Sequence, residues 1–340
     1  MKKVSVVILN WNGVAMLQRF LPQVVEYSQG EGVEVCVADN ASTDNSLEWI
    51  REACPAVRLI LLDKNYGFAE GYNQALRQVE AEYVVLLNND VEVTPQWLQP
   101  MLSYMELHPE VAACQPKLLS ERNKDYFEYA GASGGYLDYY GYPFCRGRIF
   151  DVVEKDEGQY DTVKEVFWAT GACLFIRAKD YFDAGGLDGT FFAHMEEIDL
   201  CWRLRSRGKQ IICHPESVVY HYGGGTLNVD SPRKTFLNFR NNLLMIYKNQ
   251  SEKTLFKILF VRFFLDLLAA MMFLVKMDWE NFKSVLKAIV EFYCIKAKYK
   301  AKREENLSLQ IEQNVVERWN GSIVWAFYAK KVKKFSDLIK

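Results

Sequence analysis

Along the first ninety residues the apolar and β-branched positions gather into three short runs, Val4 to Leu9, Val33 to Ala38 and Tyr83 to Leu87. Between them lie segments whose apolar residues recur at helical spacing, such as Leu47 to Ala53 and Tyr72 to Glu80. Near-continuous apolar runs mark strands buried on both faces, and their alternation with helices predicts βα units around a mainly parallel sheet. Each run stops in polar residues: Asn10-Trp11-Asn12-Gly13, then Asp39-Asn40-Ala41-Ser42-Thr43-Asp44, then Asn88-Asn89-Asp90. Ligands of open α/β sheets bind beyond the carboxyl ends of the strands, so these three tips are expected to meet at one crevice.

The pattern then changes. From Asp125 to Asp161 the chain is rich in Tyr and Gly with weak periodicity, which predicts an irregular excursion over the crevice. Order is expected to return over Phe167 to Arg177, in a helix from Leu200 to Ser206 preceded by Glu196, Glu197 and Asp199, and in two strands, Gln210 to Cys213 and Ser217 to His221. After the Gly223-Gly224-Gly225 loop a domain boundary is placed near Ser231-Pro232, giving a catalytic domain over 1–231 and a helical extension over 232–340. The extension opens with a helix, Lys234 to Lys248, and continues into Leu255 to Val275, which is long enough to cross a bilayer. Lys257, Arg262 and Asp266 each cost about 2.5–3.5 kcal/mol near a bilayer centre, so a helix lying at the interface or packed on protein is expected, with Arg262 and Asp266 paired at i,i+4.

Charge sharpens this division. The net charge of -2 hides 17 Lys/Arg against 10 Asp/Glu in residues 251–340 and 24 against 33 in residues 1–250, or +7 behind and -9 in front. The acidic front argues against a nucleic-acid partner, while the basic end, with Lys296, Lys298, Lys300, Lys302 and Arg303 close together, suits anionic lipid headgroups. Eight scattered cysteines without C-x-x-C spacing, and no secretion signal at the start, fit a cytoplasmic chain with reduced thiols.

The chemistry-bearing residues sit at the strand ends. Asp90 is placed to hold a divalent cation, although Asp or Asn at a strand end is equally a turn residue. Asp39 and Asn40 offer a carboxylate and an amide to a nucleobase edge, or serve the turn. In Asn65-Tyr66-Gly67-Phe68-Ala69 the glycine permits close backbone approach. Glu196-Glu197-Ile198-Asp199 packs three carboxylates into four residues, which either raises one proton affinity enough to make a base or simply complements a helix N-terminus. His221 is a second metal ligand or a structural histidine, and His194 has a weaker case of the same kind.

Taken in order, VSVVILNWNG, VADNASTDNS, NYGFAEGYNQAL, YVVLLNNDVEVTPQWL, ATGACLFIRA, GGLDGTFFAHMEEIDLCWRL and VVYHYGGGT closely resemble family-two inverting glycosyltransferases of the GT-A fold, particularly rhamnosyltransferase-like bacterial members. The resemblance spans about residues 4–226. It implies a Rossmann-like, mainly parallel mixed α/β sheet flanked by helices, with a C-terminal helical extension. It also implies a dTDP- or UDP-linked sugar donor contacted by Asn10, Asp39, Asn40, Asn65, Gly67 and Asn89, and Mg²⁺ or Mn²⁺ held by Asp90 with His221. Asn88 stands where the family's metal element often has its first acidic residue. The acceptor-activating pair, usually Glu-Asp, is here Glu196-Glu197, which makes Glu197 the implied general base and Asp199 its reserve. No Q-x-x-R-W element follows, implying one sugar per encounter. The implied acceptor is a saccharide, free or carried on a polyprenyl diphosphate, in cell-surface polysaccharide assembly, with the protein peripheral on the inner face of the membrane.

Three other classes stand beside this reading. A dinucleotide-dependent oxidoreductase would need a G-x-G-x-x-G after the first strand, where Asn-Trp-Asn-Gly stands. A nucleotidyltransferase would release pyrophosphate instead of a nucleoside diphosphate. A catalytically impaired binding or scaffold protein is suggested by Glu at the base position and Asn at 88.

Overall fold

The computed structural model describes residues 1–223, 231–311, 315 and 317–338. The three apolar runs are β1 (Lys2–Asn10), β2 (Val33–Asp39) and, after β3 (Arg58–Leu61), β4 (Ala81–Asn88). Short β5 (Val91–Val93) and long β6 (Val111–Ser120) follow, and helices α1 (Val14–Tyr27), α2 (Ser46–Ala53), α3 (Gly67–Leu76) and α4 (Gln99–Leu107) connect them. β1 lies between β2 and β4, parallel to both, with Asn10 opposite Asp39 and Leu9 opposite Asn88. That register brings the three polar tips level.

Alternation along the strands builds two cores. Val4, Val6, Ile8, Tyr83, Val85 and Leu87 pack with Leu17, Leu21, Ile50 and Met101 on one face. Val7, Cys36, Ala38, Val84 and Leu86 pack with Ala69, Tyr72 and Ala75 on the other. Burial of each such aliphatic side chain contributes about 1.5–3 kcal/mol, which is why the runs read as strands despite their lack of polar alternation.

The segment from Asp125 to Asp161 is ordered, contrary to the irregular excursion expected. It forms β7 (Gly135–Asp138), β8 (Pro143–Cys145), β9 (Arg148–Ile149) and β10 (Val152–Val153), an antiparallel meander. Strands of two to four residues are too short to show a period of two.

Beyond it, β11 (Lys164–Glu165) and β12 (Cys173–Arg177) return to the large sheet, followed by α5 (Ala178–Asp183), α6 (Glu196–Ser206) and β13 (Gln210–His221). The two strands expected over 210–221 are one, carrying an irregularity between His214 and Val218. Among the described residues the large sheet runs β11-β13-β6-β12-β4-β1-β2-β3, with β5 on β13. β12 runs antiparallel to β4 and β6, making the sheet mixed.

The C-terminal part comprises α7 (Pro232–Asn249), α8 (Glu252–Val275), α9 (Trp279–Ile295), α10 (Lys300–Ser308), β14 (Arg318–Trp319) and α11 (Ile323–Tyr328). It is bound onto the sheet domain at several points. β14 extends the small sheet alongside β7, Asp138 accepts from the Ile323 amide at 2.9 Å, and Glu154 accepts from the Phe335 amide at 2.9 Å. The basic cluster is divided: Lys302 pairs with Asp188 at 2.8 Å and Arg303 is buried against the Gln250 carbonyl, whereas Lys298 and Lys300 face outward.

α8 is turned inside out. Its buried stripe is Ile258, Arg262, Asp266 and Ala270, while Phe256, Phe260, Phe264, Leu268, Met271 and Val275 are exposed, Phe256 and Val275 by 81% and 80%. The Arg262–Asp266 pair closes at 3.1 Å, as i,i+4 spacing predicts. It is satisfied from the sheet domain, because the Tyr142 hydroxyl donates to Asp266 at 2.9 Å and Arg262 donates to the Tyr140 carbonyl at 3.1 Å.

Candidate active site

The tips of β1, β2 and β4 form one hydrogen-bonded platform. Asn10, fully buried, donates through Nδ2 to Ser42 Oγ at 3.2 Å and Asp39 Oδ1 at 3.4 Å, and its Oδ1 accepts from Asn89 Nδ2 at 3.0 Å. Asp39 Oδ2 accepts from the Ser42 amide at 2.9 Å, so part of its work is the turn chemistry of its own loop. Asn40 bridges to the next segment, donating to Asn65 Oδ1 at 3.1 Å and the Gly67 carbonyl at 3.0 Å, and accepting from the Tyr66 amide at 2.9 Å. Asn10, Asp39, Asn40, Asn65, Gly67 and Asn89 are therefore gathered in one place.

Gly67 is required where it is. Its φ is +76°, and a Cβ there would meet the Phe192 ring at 2.5 Å. α3 begins here, five residues ahead of the Tyr72 expected from periodicity. The reason is tertiary: the Phe192 carbonyl accepts from the amides of Phe68 and Ala69 at 2.8 and 3.1 Å, satisfying first-turn donors from a distant loop.

At the next position along, Asp90 Oδ1 lies 3.1 Å from His221 Nε2, brought there by the pairing of β13 with β5. The other ring nitrogen faces Glu128 Oε1 at 3.2 Å. Burial opposes a charge on His221, yet the two carboxylates prevail and lift its pKa to about 10. A carboxylate oxygen and an imidazole nitrogen with a carboxylate behind the ring could hold a divalent cation only with the ring neutral, so the cation would have to displace the proton that Nε2 shares with Asp90. Among the described residues no three His, Cys, Asp or Glu form a cage of their own, so ligand oxygens and water would complete such a shell. Glu128 was not among the sequence candidates, because it lies in the aperiodic Tyr-rich segment and nothing in the sequence links it to His221.

Glu197 lies on the first turn of α6, which starts at Glu196 and so includes the acidic cluster instead of following it. Gly171 lies between Glu197 and Phe68: a Cβ on it would stand 3.7 Å from the Glu197 Cβ and 3.4 Å from the Phe68 ring. The next residue, Ala172, accepts from the Asn88 amide at 3.0 Å. Glu197 thus borders both the Gly67 loop and the end of β4. Burial raises its pKa to about 7, with backbone amides including that of Gly171 pulling the other way. Glu196 is pushed up further, by burial and by Glu197, and one oxygen of each carboxylate has no hydrogen-bond partner among the described residues.

Asp199, the reserve base, is placed elsewhere in function. It is wholly inaccessible and accepts from Arg203 Nε at 3.1 Å, Lys248 Nζ at 2.8 Å and Asn249 Nδ2 at 2.8 Å. A carboxylate so saturated has no face left for a substrate hydroxyl. His194 is half-buried with its Nε2 shielded, and desolvation followed by Lys234 lowers its pKa to about 4, leaving it neutral. Gly224 and Gly225 of the glycine loop lie outside the described residues.

The segment before α6 is strained. Phe192, His194 and Met195 have φ of 68°, 70° and 72°, a region costly for residues with a Cβ. One side chain restrains it: Asn241, fully buried on α7, donates to the carbonyls of Phe191, Ala193 and His194 at 3.0, 2.9 and 2.8 Å.

Comparison with known proteins agrees with this architecture. Residues 5–162 match the family described as Glycosyl transferase family 2. The chain is 26% identical over 235 residues to the N-acetylglucosaminyl-diphospho-decaprenol L-rhamnosyltransferase of Mycobacterium tuberculosis, covering 64% of this chain and 75% of that one. It is 25% identical over 232 residues to the O-antigen biosynthesis protein RfbC of Myxococcus xanthus, covering 67% of this chain but 18% of that much longer protein. In structure it resembles GalNAc-T7, solved with UDP, GalNAc and Mn²⁺, with a TM-score of 0.58 at 15% identity over 74% of this chain and 49% of that one. It also resembles the mannosyltransferase PcManGT of Pyrobaculum calidifontis, solved with GDP-Man and Mn²⁺, with a TM-score of 0.51 at 15% identity over 90% and 84%. The sheet is that of a GT-A fold, and residues 5–162 are similar to glycosyltransferase family 2, with a rhamnosyltransferase among the relatives.

Proposed function

We propose that the chain transfers one sugar, with inversion, from a dTDP- or UDP-linked donor to a hydroxyl of a saccharide or lipid-linked saccharide in cell-surface polysaccharide assembly. The observation that carries this is Glu197: a half-buried carboxylate with a proton affinity near neutrality and one shielded, unpartnered oxygen, set beside Gly171 and the Phe68 ring that follows Gly67. A base with such a pKa is half-ionised where it works and is efficient at accepting a hydroxyl proton.

In this reading the nucleotide lies on Asn10, Asp39, Asn40, Asn65, Gly67 and Asn89. The acceptor hydroxyl passes its proton to Glu197 as its oxygen bonds to the anomeric carbon, and the bond from that carbon to the donor phosphate breaks on the opposite side. The nucleoside diphosphate leaves and configuration inverts. Asp90 and His221 would hold Mg²⁺ or Mn²⁺, which supplies charge neutralisation on the leaving diphosphate worth several kcal/mol. Glu197→Gln should lower transfer by about 10²–10⁴ while nucleotide affinity stays unchanged. Near-normal transfer by that variant, measured by product release, would move the base elsewhere, and a wild-type chain without turnover would favour the impaired binding protein.

The outward face of α8 supports a peripheral membrane location. A helix whose only buried charges point inward and whose aromatic residues point outward, with exposed Lys253, Lys257 and Lys276 at its ends, suits insertion at a lipid interface. The name of the mycobacterial relative gives it a diphospho-decaprenol sugar, and a lipid-linked acceptor of that kind on this chain would be met at such a surface. Removing residues 251–340 would also remove β14 and the Arg262 cluster, so the cleaner test is substitution. Phe256→Asp, Phe260→Asp and Phe264→Asp together should release the full chain from phosphatidylglycerol vesicles in sedimentation without lowering its melting temperature. Undiminished co-sedimentation would exclude this face.

A further inference from the structure

A second concavity lies on the far side of Phe192 from the donor platform. It has a volume of about 480 Å³, within the range of small-ligand pockets, and is formed by Phe192 with Arg233, Phe236 and Arg240 of α7 and Ser284 and Lys287 of α9. Three cations line it, and among the described residues no carboxylate does. Aromatic rings brace each cation: the Arg233 guanidinium lies 4.6 Å from the Phe192 ring centre, and Arg240 and Lys287 each lie 5.2 Å from that of Phe236. Arg240 is committed in part, donating to Glu291 at 3.1 Å and to the carbonyls of Thr190 and Phe191 at 3.3 Å. Arg233 and Lys287, by contrast, have no ion pair among the described residues and are exposed.

Position narrows the ligand. The wall shared with the donor platform is Phe192 itself, whose ring fills the space over Gly67 and whose loop runs directly into Glu197. A molecule in the concavity therefore lies beside the acceptor side of the reaction, separate from the cation pair at Asp90. From the concavity, Lys287, Val290 and Cys294 follow at i, i+3 and i+7 along the exposed side of α9, so an apolar chain has a surface to leave by.

Resting on the glycosyltransferase reading above, we infer that this concavity binds the diphosphate of a lipid-linked acceptor, with Arg233, Arg240 and Lys287 neutralising its charge and Ser284 donating to its oxygens. Guanidinium groups match phosphoryl oxygens in geometry as well as charge, and a diphosphate carries enough negative charge to face three cations.

The test uses the full chain with Mn²⁺ and saturating UDP or dTDP, whichever binds, and titrates farnesyl diphosphate calorimetrically. Farnesyl diphosphate should bind with the nucleotide in place, inorganic pyrophosphate should compete with it, and Arg233→Ala with Lys287→Ala should weaken it at least about tenfold while nucleotide affinity is unchanged. No binding once the nucleotide is in place, equal affinity in the double variant, or equal affinity for farnesol would each overturn the assignment. If neither nucleotide binds the wild-type chain, it is the glycosyltransferase reading that fails, and titration of the nucleotide-free chain still decides the diphosphate site by the same three criteria.

Discussion

At and just before helix α6 stand two sets of carboxylates that differ in the cations around them. Asp199 and the nearby Asp188 share Lys248 at 2.8 and 2.7 Å, with Arg203 and Lys302 completing the group. Burial alone would raise the pKa of Asp188, but Lys248 and Lys302 hold it well below the ordinary carboxylate range. Glu196 and Glu197, less than one turn away, have no cation in hydrogen-bond contact among the described residues, and burial raises both. A buried acid matched by bases is fixed and serves the fold. Left unmatched, it keeps affinity for a proton and is available for chemistry.

Exchanging the two sets in experiment should give opposite results. Glu197→Gln removes a base and should cost about 10²–10⁴ in kcat with no loss of melting temperature. Lys248→Met leaves Asp188 and Asp199 facing each other without their shared cation, and should destabilise the protein by roughly 3–5 kcal/mol in urea unfolding. Its activity should follow the folded fraction. If Lys248→Met were as stable as wild type and lost turnover, the division into structural and reactive acids would collapse.

How much of this was legible in the sequence follows from the distance between partners. The three strands and their polar tips could be read because burial on both faces and strand-end chemistry are local signals. The acidic cluster was visible as well, but its sorting was not: Lys248 and Asn249, which commit Asp199, stand on α7, beyond the expected boundary at 231. The same limit hid the small sheet, whose last strand comes from residues 318–319 to meet 137–138. It also hid Glu128 behind His221. The charges of α8 were legible as a bar to spanning, whereas their inward direction depends on Tyr140, Tyr142 and Asn242, which no periodicity within the helix reveals.

Between the fixed and the reactive acids lies the strained segment from Phe192 to Met195, and Asn241 holds it. Asn241→Leu removes the amide NH2 that three carbonyls share, a loss of about 1–3 kcal/mol in a buried setting, and relaxes the backbone that aims Glu197. The expected outcome is a kcat lowered by about tenfold. A drop in melting temperature with kcat unchanged would make Asn241 a structural residue only.

The smallest effect concerns stability against pH. In the unfolded chain Glu196 titrates near its ordinary value of 4.5, and in the folded chain it holds its proton to higher pH because burial and Glu197 disfavour its charge. Between those values the native state binds more protons than the unfolded state, so unfolding free energy falls as pH rises, and the contribution is fully present only below the unfolded pKa. Glu197 adds a slope of the same sign up to about pH 7. Glu196→Gln keeps the shape without the charge. It should therefore flatten the decline between pH 5 and 8, gaining on the order of 1 kcal/mol over wild type at the upper end while matching it at the lower, as read from urea midpoints. The reverse slope, a wild-type protein that gains stability over this range through these residues, would mean that a cation compensates the pair after all and that the two acidic sets are alike.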